Sequence, residues 1–349
     1  MAKQTTVKQK RIETIDILRG FFIFSIIVVH LARFPNGYDV LTGRGILWVT
    51  NSEGFFLMSG MLIGMIRGKK DIALPFIEVA KKLFKRGAML YVWTIGLTLL
   101  FTFFALQSGL ATIKPGVWED PITWRILFDS ATFQYVYSWA DFLQYYSIYL
   151  FASIPAIYAL RKGKWWVVVA ISVFLWAIHG LNAFLTWQLF FFCGAVAGWY
   201  WNEIIAFLKK TPKWLAVLHY PLALALLMLS VVSVEGSLAP RLSEVLNPHF
   251  VRAKMEIWRV LLFLLWFSAG YRLVSRYETQ VKKWVGWMLI PFGQNSLYVY
   301  ILHSFFIFFV SLWIPFTSNI FINFFVTTSV LLLLTLAVRK KFLFNIIPR

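Results

Sequence analysis

Ten stretches of this chain are apolar for long enough to cross a lipid bilayer, and no other feature restricts its fold as much. They lie near 14–34, 46–67, 87–107, 142–161, 164–180, 183–202, 214–234, 257–275, 291–312 and 316–338. A helix rises 1.5 Å per residue, so roughly 20 residues cross a hydrocarbon core about 30 Å thick. Helix is also the form in which such a run satisfies its own backbone amides where water is absent. The runs therefore predict an all-α polytopic membrane bundle of about ten transmembrane helices, forming one domain over residues 1–349. The tightest connection, His179–Gly180–Leu181–Asn182, joins the fifth run to the sixth.

Composition excludes other classes. With 60% hydrophobic and 14% charged residues, a soluble domain of this length has too little polar surface to cover its core. The formal net charge of +19 raises the question of a nucleic-acid binder, but the Lys and Arg residues stand in short clusters between apolar runs. Nucleic acid is therefore not an expected partner. The single cysteine, Cys193, lies inside an apolar run; it offers neither a disulfide framework nor a zinc site, so no metal is expected.

The N-terminus begins like a signal peptide, with Lys3, Lys8, Lys10 and Arg11 before an apolar run. Asp16 and Arg19 interrupt that run, however, and no small-residue cleavage site closes it, so a retained first helix is expected.

Orientation follows from the basic clusters. Alternate connections carry Arg67, Lys69, Lys70, Lys81, Lys82, Lys85 and Arg86; Arg161, Lys162 and Lys164; Lys209, Lys210 and Lys213; Arg272, Arg276, Lys282 and Lys283; and Arg339, Lys340 and Lys341. The intervening ones are sparse or mixed, with Arg33, Asp39 and Arg44, then Lys114, Glu119, Asp120, Arg125 and Asp129, then Glu235 to Glu256. The positive-inside bias places the basic set, and both termini, in the cytoplasm of a multi-pass protein of the cell (inner or plasma) membrane. Membrane lipid is then a partner of the basic clusters. Two outer segments, about 108–135 and 235–256, are long enough to fold over the outer mouth of the bundle.

Ionisable residues inside a span are costly, and they usually face a cavity or one another. The first helix has Asp16, Arg19 and His30. Asp16 and Arg19 share a face at i,i+3. The eleven-residue step from Arg19 to His30 returns to within about 20° of the same face after a rise of roughly 16 Å. One stripe thus carries a cation near the inner side and an imidazole near the outer side. On the second helix Glu53 falls at a depth similar to that of His30, where a carboxylate fixes a histidine's tautomer and raises its basicity. The competing reading is a buried structural ion pair.

Further along, Asp141 opens the fourth run near Trp139, Tyr145 and Tyr146. Trp187–Gln188 lies in the sixth, and Gly293–Gln294–Asn295–Ser296 opens the ninth, followed by Tyr298, Tyr300 and His303. Hydrogen-bonding side chains beside aromatic faces suit a sugar. Asp141, Gln188 and Gln294 are the stronger candidates, because a buried polar group needs a partner. His303 is the weaker, since a lone helix histidine is more often a packing residue. Lys82, Lys85 and Arg86, entering the third helix, suit phosphates of a cytosolic cofactor, but are equally ordinary positive-inside residues.

Together these features resemble a known family. Arg19 followed by ten residues and His30 is similar to the R/K-X10-H signature of the acyltransferase 3 superfamily, in which the histidine is considered catalytic. Ile15 to Gly20 (IDILRG) and Phe55 to Gly60 (FFLMSG) resemble its first two helices. Closer still is the OpgC branch, membrane enzymes implicated in succinylating periplasmic glucans. Glu53–Gly54–Phe55 with Ser59–Gly60, Asp141-x-Leu143, Trp187–Gln188 with Gly194, and Gly293–Gln294-x-Ser296–Leu297 all look like its segments. Gln144 and Asn295 depart from that pattern, and the superfamily's second basic signature appears as Lys82, Lys85 and Arg86.

The resemblance implies an acyl-CoA-dependent O-acyltransferase that moves a succinyl or acetyl group from cytosolic succinyl-CoA or acetyl-CoA to a hydroxyl of an extracytoplasmic glycan acceptor. Arg19, Lys82, Lys85 and Arg86 would meet the CoA head. His30 would serve as general base or carry the acyl group covalently, and Glu53 or Asp16 would steady the cationic groups. Asp141, Gln188, Gln294 and His303 would bind the acceptor. Two other classes compete. A transporter or exporter of glycan or lipid-linked precursors also places ionisable residues in its spans, yet Pro155 and Pro221 do not mark corresponding positions of paired repeats. A non-catalytic scaffold has no use for the charged stripe on the first helix. The oligomeric state is not encoded in any of these features.

Overall fold

The apolar runs become helices, and many of their ends are marked in the sequence. The computed structural model describes residues 12–108, 123–180, 182–236 and 240–348, and no strand occurs among them. Helix α1 (Glu13–Leu31) stops where Ala32 adopts a left-handed φ of 52°, shortly before Pro35. After the single turn α2 (Asp39–Thr42), α3 (Asn51–Leu62) opens on a capping box in which Thr50 and Glu53 satisfy each other's free amides. It widens into a π-helical turn, Ile63–Lys69, and a 3-10 turn, Lys70–Ala73. Helix α4 (Phe76–Ser108) has 33 residues, about 50 Å at 1.5 Å each, so it projects beyond a bilayer core.

Next come α5 (Trp124–Ala131), α6 (Asp141–Arg161) and α7 (Trp165–Ala177). Helix α8 (Ala183–Trp199) is capped by Asn182, and α9 (Trp201–Lys209) leaves it at 78°. The rest are α10 (Lys213–Glu235), α11 (Pro240–Leu246), α12 (Ile257–Arg276), α13 (Glu278–Gln294), α14 (Ser296–Trp313) and α15 (Ile320–Arg339).

Six of the described helices are long and apolar enough to cross a membrane, or seven if the bent α8–α9 pair counts as one span. Their outer faces carry large exposed apolar side chains, among them Leu222, Met228, Phe321 and Phe325. In water such faces would aggregate; in lipid they are the solvent-facing surface of a membrane protein. The expected ten runs are therefore not all spans by this measure. Helices α3 and α7, at 12 and 13 residues, are short. Along α6 the tyrosines and Gln144 dilute the apolar character.

The ninth run is also divided differently from expectation. Asn295, at φ −124° and ψ 35°, breaks the helix, so Gly293 and Gln294 end α13 while Ser296 starts α14. Lys282 and Lys283, expected in a loop, belong to α13. Lys3, Lys8, Lys10, Arg11, Lys114, Glu119, Asp120 and Leu181 lie outside the described residues.

Two helix pairs pack with backbones almost in contact. A Cβ on Gly60 would sit 1.8 Å from the Phe191 carbonyl oxygen, and one on Gly198 2.0 Å from that of Met61, which locks α3 to α8. A Cβ on Gly20 would sit 1.9 Å from the Leu289 carbonyl oxygen, and one on Gly293 1.8 Å from that of Asp16, which does the same for α1 and α13. Lipid gives no hydrophobic drive to join two helices, so close approach through small residues supplies the attraction.

A polar loop closes one end of the bundle. Asn247 accepts from the Trp48 indole at 2.7 Å, Trp48 stacks on Phe250 at 4.1 Å, and Trp176 at the end of α7 donates to the Met255 carbonyl at 2.9 Å. These contacts tie residues 247–255 to Trp48, just before α3, and to the end of α7.

Candidate functional site

The stripe on α1 has two poles, and each gathers partners from other helices. At the lower pole, Arg19 donates to Ser296 Oγ at 2.6 Å, and Asp16 accepts from Gln294 Nε2 at 3.1 Å. Both residues line a cavity of about 590 Å³. The π-helical turn contributes Arg67 and Lys69 to its wall, with Lys70 next to them; α4 contributes Arg86, and the α8–α9 corner contributes Trp199 and Asn202. A π-turn adds a residue to one helical turn and displaces the residues beyond it; such turns are common at functional sites. Here it brings cations to the cavity mouth.

Of the expected cofactor residues, Arg19 and Arg86 line this cavity. Lys82 and Lys85 do not: both are exposed on α4, and Lys82 Nζ lies 3.9 Å from Asp71. Arg67, which in the sequence is only a topology signal, holds the same Asp71 at 2.9 Å. Arg161 fixes this corner by donating to the carbonyls of Leu74 and Asp71 at 2.9 and 2.6 Å.

Phe55, Phe142 and Tyr146 also line the cavity. Phe142 packs against Tyr300 at 5.0 Å, and Tyr300 packs against His303 at 4.8 Å and His30 at 6.4 Å. The upper pole is thus one aromatic layer away. There His30 Nδ1 lies 3.1 Å from His303 Nε2, and His303 Nδ1 contacts the Tyr300 carbonyl. Asp141 accepts from the Phe142 amide at 2.6 Å and from the Tyr300 hydroxyl at 3.5 Å. His30 and Asp141 keep partial exposure, whereas His303 has none.

One expected pairing needs correction, and two of the acceptor candidates have partners apart from the histidines. Glu53 is not the partner of His30: its Oε1 accepts from Arg259 Nε at 2.7 Å and from Nη2, and both residues are almost wholly buried. Equal depth in a bundle does not fix which way a side chain faces, and Glu53 turns toward α12. Gln188 does not reach the histidines, because its amide is used by α7: it accepts from Ser172 Oγ at 2.7 Å and donates to the Ser172 carbonyl at 2.8 Å. Gln294 sits at the lower pole with Asp16, away from Asp141. By contrast His303, the weakest candidate, is the residue that meets His30.

One cation of this centre is not marked in the sequence at all. Arg252, in the closing loop, places its guanidinium 5.1 Å from the Trp187 ring centroid. It is exposed, has no hydrogen bond or ion pair among the described residues, and its charge reaches His30, Asp141 and Tyr145. Its only signal is an arginine in a mixed loop, which looks like any surface residue until the loop folds back. Arg259 supports it from below, donating to the Phe250 carbonyl at 2.6 Å and so tying that loop to the Glu53 pair.

The family model described as OpgC protein matches residues 11–343 of the chain. No curated protein matches it, and no solved structure does.

Proposed function

The chain belongs to the OpgC family, and from that premise we propose that it is a membrane O-acyltransferase of the acyltransferase 3 type. It transfers an acyl group from cytosolic acyl-CoA to a hydroxyl of an extracytoplasmic glycan. The observation that carries this reading is a cavity lined both by Arg19, Arg67, Lys69, Lys70 and Arg86 and by Phe142, which one aromatic ring, Tyr300, separates from His30. Phosphate groups suit the cationic mouth, since charge-assisted contacts from Arg and Lys are the strong ones. A pantetheine arm suits the rest of the cavity, whose polar lining includes Ser59, Gln294 and Ser296.

At the far end His30 takes the proton of the sugar hydroxyl. The oxygen then attacks the thioester carbonyl, the C–S bond breaks, and the proton passes from His30 to the departing thiolate. The products are a sugar ester and free CoA. Asp141 and Tyr145 hold the acceptor. Arg252, a cation beside this centre with no hydrogen bond or ion pair among the described residues, favours an acyl chain that ends in a carboxylate, and so supports a succinyl rather than an acetyl donor. In this reading the chain crosses the cell membrane ten times, through α1, α3, α4, α6, α7, α8, α10, α12, α14 and α15. Both termini are cytoplasmic, in line with the basic clusters.

The test is CoA release from succinyl-CoA and acetyl-CoA by the full chain in nanodiscs, with and without a mixed glycan pool, beside His30→Ala. Glycan-stimulated, His30-dependent release is the expected result. Release that ignores His30 overturns the mechanism, and absence of both release and CoA binding favours a transporter.

A further inference from the structure

A histidine that acts as a general base must present an unprotonated nitrogen to its substrate, and a neutral imidazole carries its proton on one nitrogen or the other. Which one is set by the hydrogen bond the other nitrogen makes. The contacts at the upper pole decide this for His30 in two steps.

The first step concerns His303. Its Nδ1 contacts the main-chain carbonyl of Tyr300. A carbonyl oxygen can only accept, so Nδ1 of His303 carries a proton. A second proton, on Nε2, would make a wholly buried cation with no carboxylate hydrogen-bonded to it. Nε2 of His303 is therefore a lone-pair acceptor.

The second step concerns His30. Its Nδ1 lies 3.1 Å from that acceptor and makes the only hydrogen bond found for His30 among the described residues. Two lone pairs do not hold a contact at that distance, so Nδ1 of His30 is the donor. Its Nε2 is then left without a proton and, among the described residues, without a hydrogen-bond partner.

We propose that His303 is a positioning residue that locks His30 into the Nδ1–H tautomer, so that Nε2 is the nitrogen that faces the reaction. A neutral histidine in water prefers the Nε2–H form, which would point a proton where the base must accept one. The lock opposes that preference. It also gives the transient His30 imidazolium an acceptor for its Nδ1–H. In other sites a carboxylate supplies this acceptor; here a second imidazole does, steadied by a helix carbonyl. The inference rests on the reading of His30 as the base, but the tautomer itself does not.

The test is ¹⁵N NMR of the full chain in nanodiscs with labelled histidine. The His30 signals are identified by their loss in His30→Asn, which matters because the chain has 5 histidines. In the wild type, His30 Nδ1 is expected to give the protonated shift and Nε2 the unprotonated one. In His303→Leu the assignment should reverse for most molecules. In His303→Gln it should persist, because the glutamine carbonyl oxygen takes the place of Nε2. Turnover should change in parallel: kcat falls about 10- to 100-fold in His303→Leu with KM nearly unchanged, and returns to within a few-fold in His303→Gln. An Nε2–H form of His30 in the wild type overturns the inference even if neither His303 variant folds. So does an unchanged tautomer in a folded His303→Leu. The locked tautomer together with full activity in His30→Ala would leave the inference standing and remove the proposed mechanism instead.

Discussion

Glu53 and Arg259 meet where α3 and α12 begin, with one carboxylate oxygen held by two guanidinium nitrogens and almost no water in reach of either residue. The carboxylate also caps α3 through Thr50, at 2.7 Å to Oγ, and the guanidinium holds the Phe250 carbonyl of the closing loop. Two helices and a loop thus depend on one pair. Removing one member strands a buried charge, which typically costs about 3–5 kcal/mol.

Arg259→Met is therefore expected to lower the thermal unfolding midpoint of the purified protein markedly. Adding Glu53→Gln should restore part of it, because the amide is neutral and still reaches Thr50. If the double variant is less stable than Arg259→Met, the pair is not the source of the loss.

Arg252 makes no hydrogen bond or ion pair among the described residues and only lies over the Trp187 ring, so its replacement should change stability little and activity specifically. Arg252→Gln is expected to lower kcat/KM for succinyl-CoA about 10- to 100-fold, the worth of one charged hydrogen bond. The value for acetyl-CoA should change little. Equal losses for both donors would remove Arg252 from acyl recognition.

The cavity separates residues that the sequence groups together. Arg86 lines it and Lys85 does not. Arg86→Gln is expected to weaken CoA binding by about tenfold in titration calorimetry, and more steeply at low salt than at high. Lys85→Gln should stay within twofold. Equal effects would mean that general surface charge, not the cavity, attracts the ligand.

Gly60 has no room for a side chain, since even a Cβ would meet the Phe191 carbonyl at 1.8 Å. Gly60→Ala is expected to destabilise the α3–α8 pair by at least about 1–3 kcal/mol, and Gly60→Val to prevent recovery of folded protein from detergent by size-exclusion chromatography. Gly96, with open space around it, is the control: Gly96→Ala should behave as wild type.

Outside the spans, Asp39 gives a pH-dependent contact. Burial raises its carboxyl pKa, but hydrogen bonds from the Asn36 amide and Arg44, with the charge of Arg44, outweigh burial and hold it below the usual carboxylate value. A depressed folded value stabilises above the unfolded pKa and is lost as pH falls through the folded one. Protection of the Asn36 and Gly37 amides from hydrogen exchange, relative to their intrinsic rates, is therefore expected to fall only in acid, and in Asp39→Asn to be low at neutral pH as well. Protection that is indifferent to both changes would show that the loop is held by other contacts.

Some of this is legible in the sequence, and the rest is hidden for identifiable reasons. Periodicity and length place Arg19 and His30 on one stripe of α1, since both are properties of a single helix. Asp141 is legible as a carboxylate at a helix start among tyrosines. What a helix cannot report about itself is its rotation against neighbours: depth alone pairs Glu53 with His30, whereas it belongs to Arg259. Gln188 looks free because Ser172, its partner, is on another helix. His303 looks solitary for the same reason. Arg252 and Arg259 become visible only once the closing loop folds back. The break at Asn295 comes four residues after Pro291 and two after Gly293, so the residues that announce it sit inside α13 and do not mark its end.

The contact between Gly20 on α1 and Leu289 on α13 also has a bearing on biogenesis. Chains are synthesised at roughly 5–20 residues per second. The first helix therefore enters the bilayer tens of seconds before its tightest neighbour exists. During that interval Asp16 and Arg19 wait in lipid without Gln294 or Ser296. Until the last fifth of the chain arrives, the i,i+3 spacing of Asp16 and Arg19 lets the two charges meet each other on the face of α1 that α13 later covers.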